Sequence, residues 1–246
     1  DSLPAALKIA SPISPSNSQA LNFTLTAEEP MVLPTVNAFQ VSGSGCAITG
    51  VTLSNSTTAE INVQNCISGA NVQLTVKRNS IRDLAGNLSP ATELSSSDVL
   101  VDYEAPLVTS ITNAMTADLV DFTVNFNEPV TNITASSFAL TGAGCSIINF
   151  AATSSTVYDF DLTGCNDGVT ATVTLAASAG TDVAGNVGPA SSVQASTIID
   201  ATAPTVVTWS NSQASLTNAA TLTYTLTFSE AVSGLTASSF TITGCA

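Results

Sequence analysis

The sequence predicts an all-β chain built of tandem sandwich modules, and three observations carry that expectation. Apolar residues alternate with polar ones at a period of two, no stretch shows helical spacing, and whole phrases return after about one hundred positions.

The alternation is plain in "FTVNF", where Phe122, Val124 and Phe126 are separated by Thr123 and Asn125, and in Val169, Ala171, Val173 and Leu175. Near the start, Leu21, Phe23 and Leu25 follow the same rule, as do Val72, Leu74 and Val76. The intervening residues are mostly Thr, Ser, Asn and Gln, the pattern of strands with one dry face and one wet face.

The phrases recur in fixed order. "FTVNFNEPV" at 122–130 matches "YTLTFSEAV" at 224–232 and, more loosely, "FTLTAEEPM" at 23–31. "ASSFALTGAGC" at 135–145 matches "ASSFTITGC" at 237–245 and "VNAFQVSGSGC" at 36–46, which aligns Phe39, Phe138 and Phe240. "DYEAP" at 102–106 matches "DATAP" at 200–204, and "DLAGN" at 83–87 matches "DVAGN" at 182–186. The repeat divides the chain into residues 1–101, 102–199 and 200–246, the last holding the N-terminal half of a third copy. The second copy shows seven strands, at 107–113, 121–127, 137–142, 145–153, 157–163, 169–177 and 191–199. Seven short strands separated by turn signals describe an immunoglobulin-like β-sandwich.

The three phrases, D-x-x-A-P, F-x-E-P/A-V and D-x-A-G-N, resemble in their order and period the bacterial Ig-like repeats of large surface and adhesin-type proteins. The first copy departs from that pattern by opening with "DSLPAALKI" and by reading "AEEPM". The resemblance implies a modular extracellular spacer and names no ligand. Asp1, with no starting Met and no signal peptide, reads as a mature or excised end.

Each complete copy holds two cysteines, Cys46 with Cys66 and Cys145 with Cys165. The midpoints fall in turn-like clusters, "SNSTT" and "TSSTV", so a hairpin folded there brings each pair face to face. Two cross-strand disulfides, and hence an oxidising compartment, are expected. With no His and no C-x-x-C, a metal reading of the cysteines is poor. Cys245 lacks a partner, and its mate is expected beyond the end of the third copy.

Charge limits the partners. There are 18 Asp and Glu against 4 Lys and Arg, and the four basic residues are Lys8, Lys77, Arg78 and Arg82. Residues 104–246 therefore repel phosphate backbones and anionic headgroups, which argues against nucleic acid and membrane-surface partners. No apolar run has the length of a membrane helix.

Three acids recur between copies. They are the opening Asp (Asp102, Asp200 and, by position, Asp1), the Glu of the second phrase (Glu29, Glu128, Glu230) and the Asp of D-x-A-G-N (Asp83, Asp182). In a sandwich whose successive strands reverse, the linker, the loop after the second strand and the hairpin between the last two strands share one pole. Asp102, Glu128 and Asp182 are thus expected to converge, with Asn186 and Glu104 nearby, and Asn87 doing the same beside Asp83. Hard oxygen ligands without His or Cys suit Ca²⁺, and the expected affinity is about 10⁻⁴ to 10⁻³ M. A second reading stays open beside it: Asp and Asn flank Gly in tight turns for conformational reasons alone.

Catalysis is hard to place without His and without a basic residue in the second and third copies. Asp159 and Asp161 lie two apart on one strand and read as solvent-face charge rather than a glycosidase pair. Gly43, Gly45, Gly142 and Gly144 read as turns, because no helix follows them. Trp209 reads as core or junction packing. The leading functional expectation is a non-enzymatic extracellular stalk whose partners are neighbouring repeats, with any cell-surface or matrix ligand bound by other regions. The alternatives are a self-assembling filament subunit, whose third copy a neighbouring chain completes, and a binding module using its distal loops.

Overall fold

The computed structural model describes residues 3–116, 119–142, 144–213 and 217–243; Asp1 and Cys245 lie outside the described residues. The first module contains β1 (Leu7–Ala10), β2 (Leu21–Ala27), β3 (Phe39–Val41), β4 (Ala47–Asn55), β5 (Thr58–Gln64), β6 (Asn71–Val72), β7 (Leu74–Val76), β8 (Ile81–Arg82), β9 (Leu88–Ser89), β10 (Leu94–Ser95) and β11 (Val99–Leu100). The second contains β12 (Val108–Met115), β13 (Val120–Phe126), β14 (Phe138–Thr141), β15 (Ser146–Ala152), β16 (Val157–Thr163), β17 (Thr170–Leu175), β18 (Gly180–Thr181), β19 (Val187–Gly188) and β20 (Val193–Ile198). The third holds β21 (Val206–Asn211) and β22 (Tyr224–Phe228).

Two sheets build each complete module. In the second, β12-β13-β16-β15 faces β14-β17-β20; in the first, β1-β2-β5-β4 faces β3-β7-β10, with β6 and β11 extending the latter. This is the strand order of a constant-type immunoglobulin sandwich, so the fold is immunoglobulin-like and tandem.

Alternation produces the core. Along β13 every even-numbered position from Val120 to Phe126 is buried, and along β16 Tyr158, Phe160 and Leu162 are buried while Asp159 and Asp161 stay on the outer face. Phe122 lies opposite Phe160 in the ladder, with the rings stacked 5.5 Å apart. Phe138 reaches across from the other sheet to 4.8 Å from Phe160. The buried Tyr158 hydroxyl donates to the Val130 carbonyl at 2.6 Å, which fixes the loop leaving β13. The first module repeats the plan with Phe23, Leu25, Ile61 and Leu74.

Both predicted disulfides are present. Cys46–Cys66 and Cys145–Cys165 each close the open end of a hairpin, with Cα atoms 4.2 Å apart. The β4–β5 and β15–β16 turns fall where the cysteine midpoints place them.

Three features depart from the sequence reading. Between β17 and β20 a short extra hairpin, β18–β19, rises with "DVAGN" at its tip, and β8–β9 does the same for "DLAGN". The stretch read as one strand over 72–76 is broken at Gln73, whose side chain donates to the Ser96 carbonyl and to Asp98. Trp209, expected in a core or junction, is 58% exposed, touching only the edges of Tyr224 and Phe240 among the described aromatic rings. The correction has a physical reason: only β21 and β22 of its module are formed among the described residues, so no second sheet covers the indole.

Candidate metal centre at the module joint

Strand reversal builds the site. The chain enters the second module through Asp102–Pro106, runs along β12 and returns along β13, so Glu128 follows β13 at the entry pole. The β18–β19 hairpin leans onto the same pole through a two-bond bridge, Thr131 N–H to Thr181 O at 2.8 Å and Thr181 N–H to Thr131 O at 3.1 Å. Gly188 permits that approach, because a methyl group there would collide with the Pro106 carbonyl. Carboxylate oxygens of Asp102, Glu128 and Asp182 consequently lie within 4.8 Å of one another.

The tip is shaped by its own sequence. The Asn186 N–H donates to Asp182 Oδ1 at 2.8 Å, and its carboxamide Nδ2 donates to Asp182 Oδ2 at 2.7 Å. Gly185 takes a φ of +94°, which closes the turn. The same Nδ2 also donates to the Asp102 carbonyl at 2.8 Å, so the motif grips the linker as well as itself. Asp182 is only 5% exposed. "DLAGN" repeats every part: Asn87 gives Asp83 two bonds of 2.8 Å and reaches the Leu3 carbonyl at 3.3 Å.

Asp102 is held from both modules. Its N–H donates to Ser16 O at 2.8 Å, and its Oδ1 accepts from the Ser68 hydroxyl and the Glu104 N–H at 3.3 Å each. Ser68, Gly69 and Leu100 of the first module and Asn127 and Glu128 of the second line a cleft of about 290 Å³, which Asp102 and Glu104 border. Burial raises the Glu128 carboxyl above its ordinary value, and the charges of Asp102 and Asp182 raise it further, with a smaller push from Glu104. The pole therefore concentrates negative charge, and residues 104–246 hold no Lys or Arg to balance it.

The other poles are not equivalent. At the first, burial raises the Asp83 carboxyl, but the Asn87 side chain and the N–H groups of Asn87, Gly86 and Ala85 outweigh it and hold the group below its ordinary value. Glu29 is half-buried in the loop after β2, and Arg82, which stands where Thr181 stands in the second module, donates to Gly86 O at 3.2 Å. Asp200 is exposed and Glu230 half-buried, and neither joins a cluster of three potential metal ligands among the described residues.

Sequence reasoning missed Ser68, Asn127 and Asp167. Asn127 Oδ1 accepts the Leu107 N–H at 2.6 Å and squares the linker onto the second module. Asp167, the counterpart of Ser68, accepts the Thr202 hydroxyl at 2.6 Å and the Ala201 N–H at 2.7 Å, and both lower its carboxyl. The available signal was positional: residues 68 and 167 each precede a turn glycine, Gly69 and Gly168, whose N–H bonds the chain leaving the module.

No family model matches this chain, and no curated protein matches it. Among solved structures, the chain is similar to chains of a "Marsupial T cell receptor". One is 11% identical over 79% of this chain and 61% of that chain, with a TM-score of 0.25. A second is 14% identical over 82% and 100%, with a TM-score of 0.26. A third is 10% identical over 80% and 64%, with a TM-score of 0.24. The chain thus spans 61% and 64% of the length of two of them. Likeness at this level concerns the immunoglobulin-like strand arrangement alone, and the fold assignment rests on the strand order described above.

Proposed function

We propose that this chain is a structural spacer of an extracellular protein, of the bacterial surface and adhesin type it resembles, with a Ca²⁺-stiffened joint between its first two modules. The observation that carries the reading is the convergence of Asp102, Glu128 and Asp182 within 4.8 Å at the entry pole of a module that has no Lys or Arg. Two disulfides fit an extracellular or secreted setting, and among the described residues no helix is long and apolar enough to cross a membrane.

The donor set suits calcium. All three side chains offer hard oxygens, and no imidazole or thiolate is at hand to favour a softer ion. Although Asn186 occupies both oxygens of Asp182, each oxygen keeps a second lone pair for a cation. The cleft leaves room for water to complete the shell. Because Asp102 is anchored to Ser16 and Ser68 on one side and to Asn186 on the other, an ion held there fixes the angle between the modules. No catalytic step is assigned to the chain.

Calorimetric titration of the full chain with CaCl₂ tests the reading. Saturable binding with a dissociation constant of about 10⁻⁴ to 10⁻³ M, lost in Glu128→Gln, is expected. No heat and no rise in melting temperature at millimolar calcium refute the metal joint.

A further inference from the structure

We infer that residues 11–20, which join β1 to β2, form a brace across the first joint. The loop fastens the start of the linker to the first module and seats the D-x-A-G-N tip of the second, with no cation involved.

The length of the loop is the first sign. In the second module β12 passes to β13 through residues 116–119 alone, closed by the Thr116 N–H to Leu119 O bond at 2.9 Å. The first module uses the longer stretch "SPISPSNSQA" for the same step. Its extra residues lie along the chain that leaves the module. Ser16 forms a parallel bridge with Val101, donating its N–H to Leu100 O and accepting the Asp102 N–H at its own carbonyl, both at 2.8 Å. The Ser14 hydroxyl oxygen accepts the Leu100 N–H at 3.0 Å, and the Ser11 hydroxyl donates to Ser97 O at 3.1 Å. Val101 bonds in the other direction, to Gly69 and Ala70. The loop thus takes up the edge groups of Leu100 and Asp102, a service no hairpin needs for its own closure.

Asp102 is where the two modules meet. Its N–H is held by Ser16 of the first module, and its carbonyl by Asn186 Nδ2 of the second. One residue further along the loop, Asn17 Nδ2 stands 3.6 Å from the point that a Cβ on Gly185 would occupy, so the loop crosses the joint and lies against the tip itself. Pro12 and Pro15 restrict the loop backbone, which lowers the entropy lost in ordering it. The loop carries no charged residue, so it approaches the pole of Asp102, Glu128 and Asp182 without adding to their repulsion. Ser16 and Asn17 are positioning residues: they act on the acidic pole by placing Asp102 and the tip.

Amide hydrogen exchange of the full chain, read residue by residue by NMR in the presence of a chelator, tests the brace through two variants. Ser14→Gly, Pro15→Gly, Ser16→Gly, Asn17→Gly and Ser18→Gly together keep the loop's length and loosen it. Asn17→Ala, at an exposed position, removes only the reach to Gly185. In the glycine variant, exchange is expected to rise at Asp102 and, across the joint, at Asp182 and Asn186, by about two- to tenfold, as for one neutral hydrogen bond. Phe122 and Phe160, in the core of the second module, keep the parent's rates. Asn17→Ala is expected to raise exchange at Asp182 and Asn186 and to leave the first module unchanged. Exchange at Asp182 and Asn186 that neither variant alters overturns the brace. An equal rise at Phe122 and Phe160 also overturns it, because that marks general loosening of the second module. A rise in the glycine variant alone overturns the part given to Asn17.

Discussion

Replacing Asn186 by alanine isolates the clasp that ties the D-x-A-G-N tip to the linker. The substitution removes the 2.7 Å bond to Asp182 Oδ2 and the 2.8 Å bond to the Asp102 carbonyl, and leaves the backbone bond to Asp182 Oδ1 in place. A hydrogen bond to a charged group contributes about 1.5–3 kcal/mol and a neutral one about 0.5–1.5 kcal/mol. Asp182 is 5% exposed, so water replaces the lost donor poorly. The expected loss is therefore about 2–4 kcal/mol, which for a domain near one hundred residues lowers the melting temperature by about 10–25 °C. Differential scanning calorimetry of the full chain reads this as a shift confined to one transition. Asn87→Ala shifts the other transition by less, because its bond to Leu3 O is 3.3 Å long. A change below about 0.5 kcal/mol for Asn186→Ala, the size of an ordinary surface substitution, refutes the clasp.

Glu128→Gln relieves the repulsion at the pole, so it is expected to raise the calcium-free melting temperature of the second module and to abolish its response to calcium. On the outer face of the same module Asp121 lies opposite Asp161, and burial, then the neighbouring carboxyl, raise Asp121 above 3.8. A raised folded-state value stabilises below the unfolded value and loses that contribution as pH rises through the folded one, so Asp121→Asn is expected to flatten the acid-side gain in urea titrations. Asp83 has the opposite sign: held below 3.8, it stabilises the first module above that value and loses the contribution as pH falls through its lowered value, which Asp83→Asn removes. Replacing Cys46 and Cys66 together by serine opens a loop with a sequence separation of 20 and costs about 3 kcal/mol, visible as a lower melting temperature for the first module only.

Much of the fold was legible because burial writes a period of two directly into β13 and β16. The same parity brought Glu128 and Asp182 to the pole of Asp102 from positions far apart in the chain. What stayed hidden depends on tertiary contact. β18 and β19 are two residues each, too short to carry a pattern, and β18 is held by its bridge to Thr131. The double role of Asn186 was out of reach, since a turn residue announces its bond to Asp182 but not its bond to a carbonyl 84 positions away. Ser68 sits in no recurring phrase, and Asn127, inside "FTVNFNEPV", is matched by Glu28 and Ser229 in the other copies, so their place at the joint emerges only once the modules are set end to end. Trp209 was misplaced because the periodicity of β21 marks a face to be buried without saying whether anything buries it.

Residual dipolar couplings measured on the first two modules of the intact chain test the stiffened joint most directly. At about 5 mM CaCl₂, above the expected dissociation constant, the account predicts that both modules report one shared alignment tensor, and that chelation separates it into two. Two independent tensors that calcium leaves unchanged contradict it.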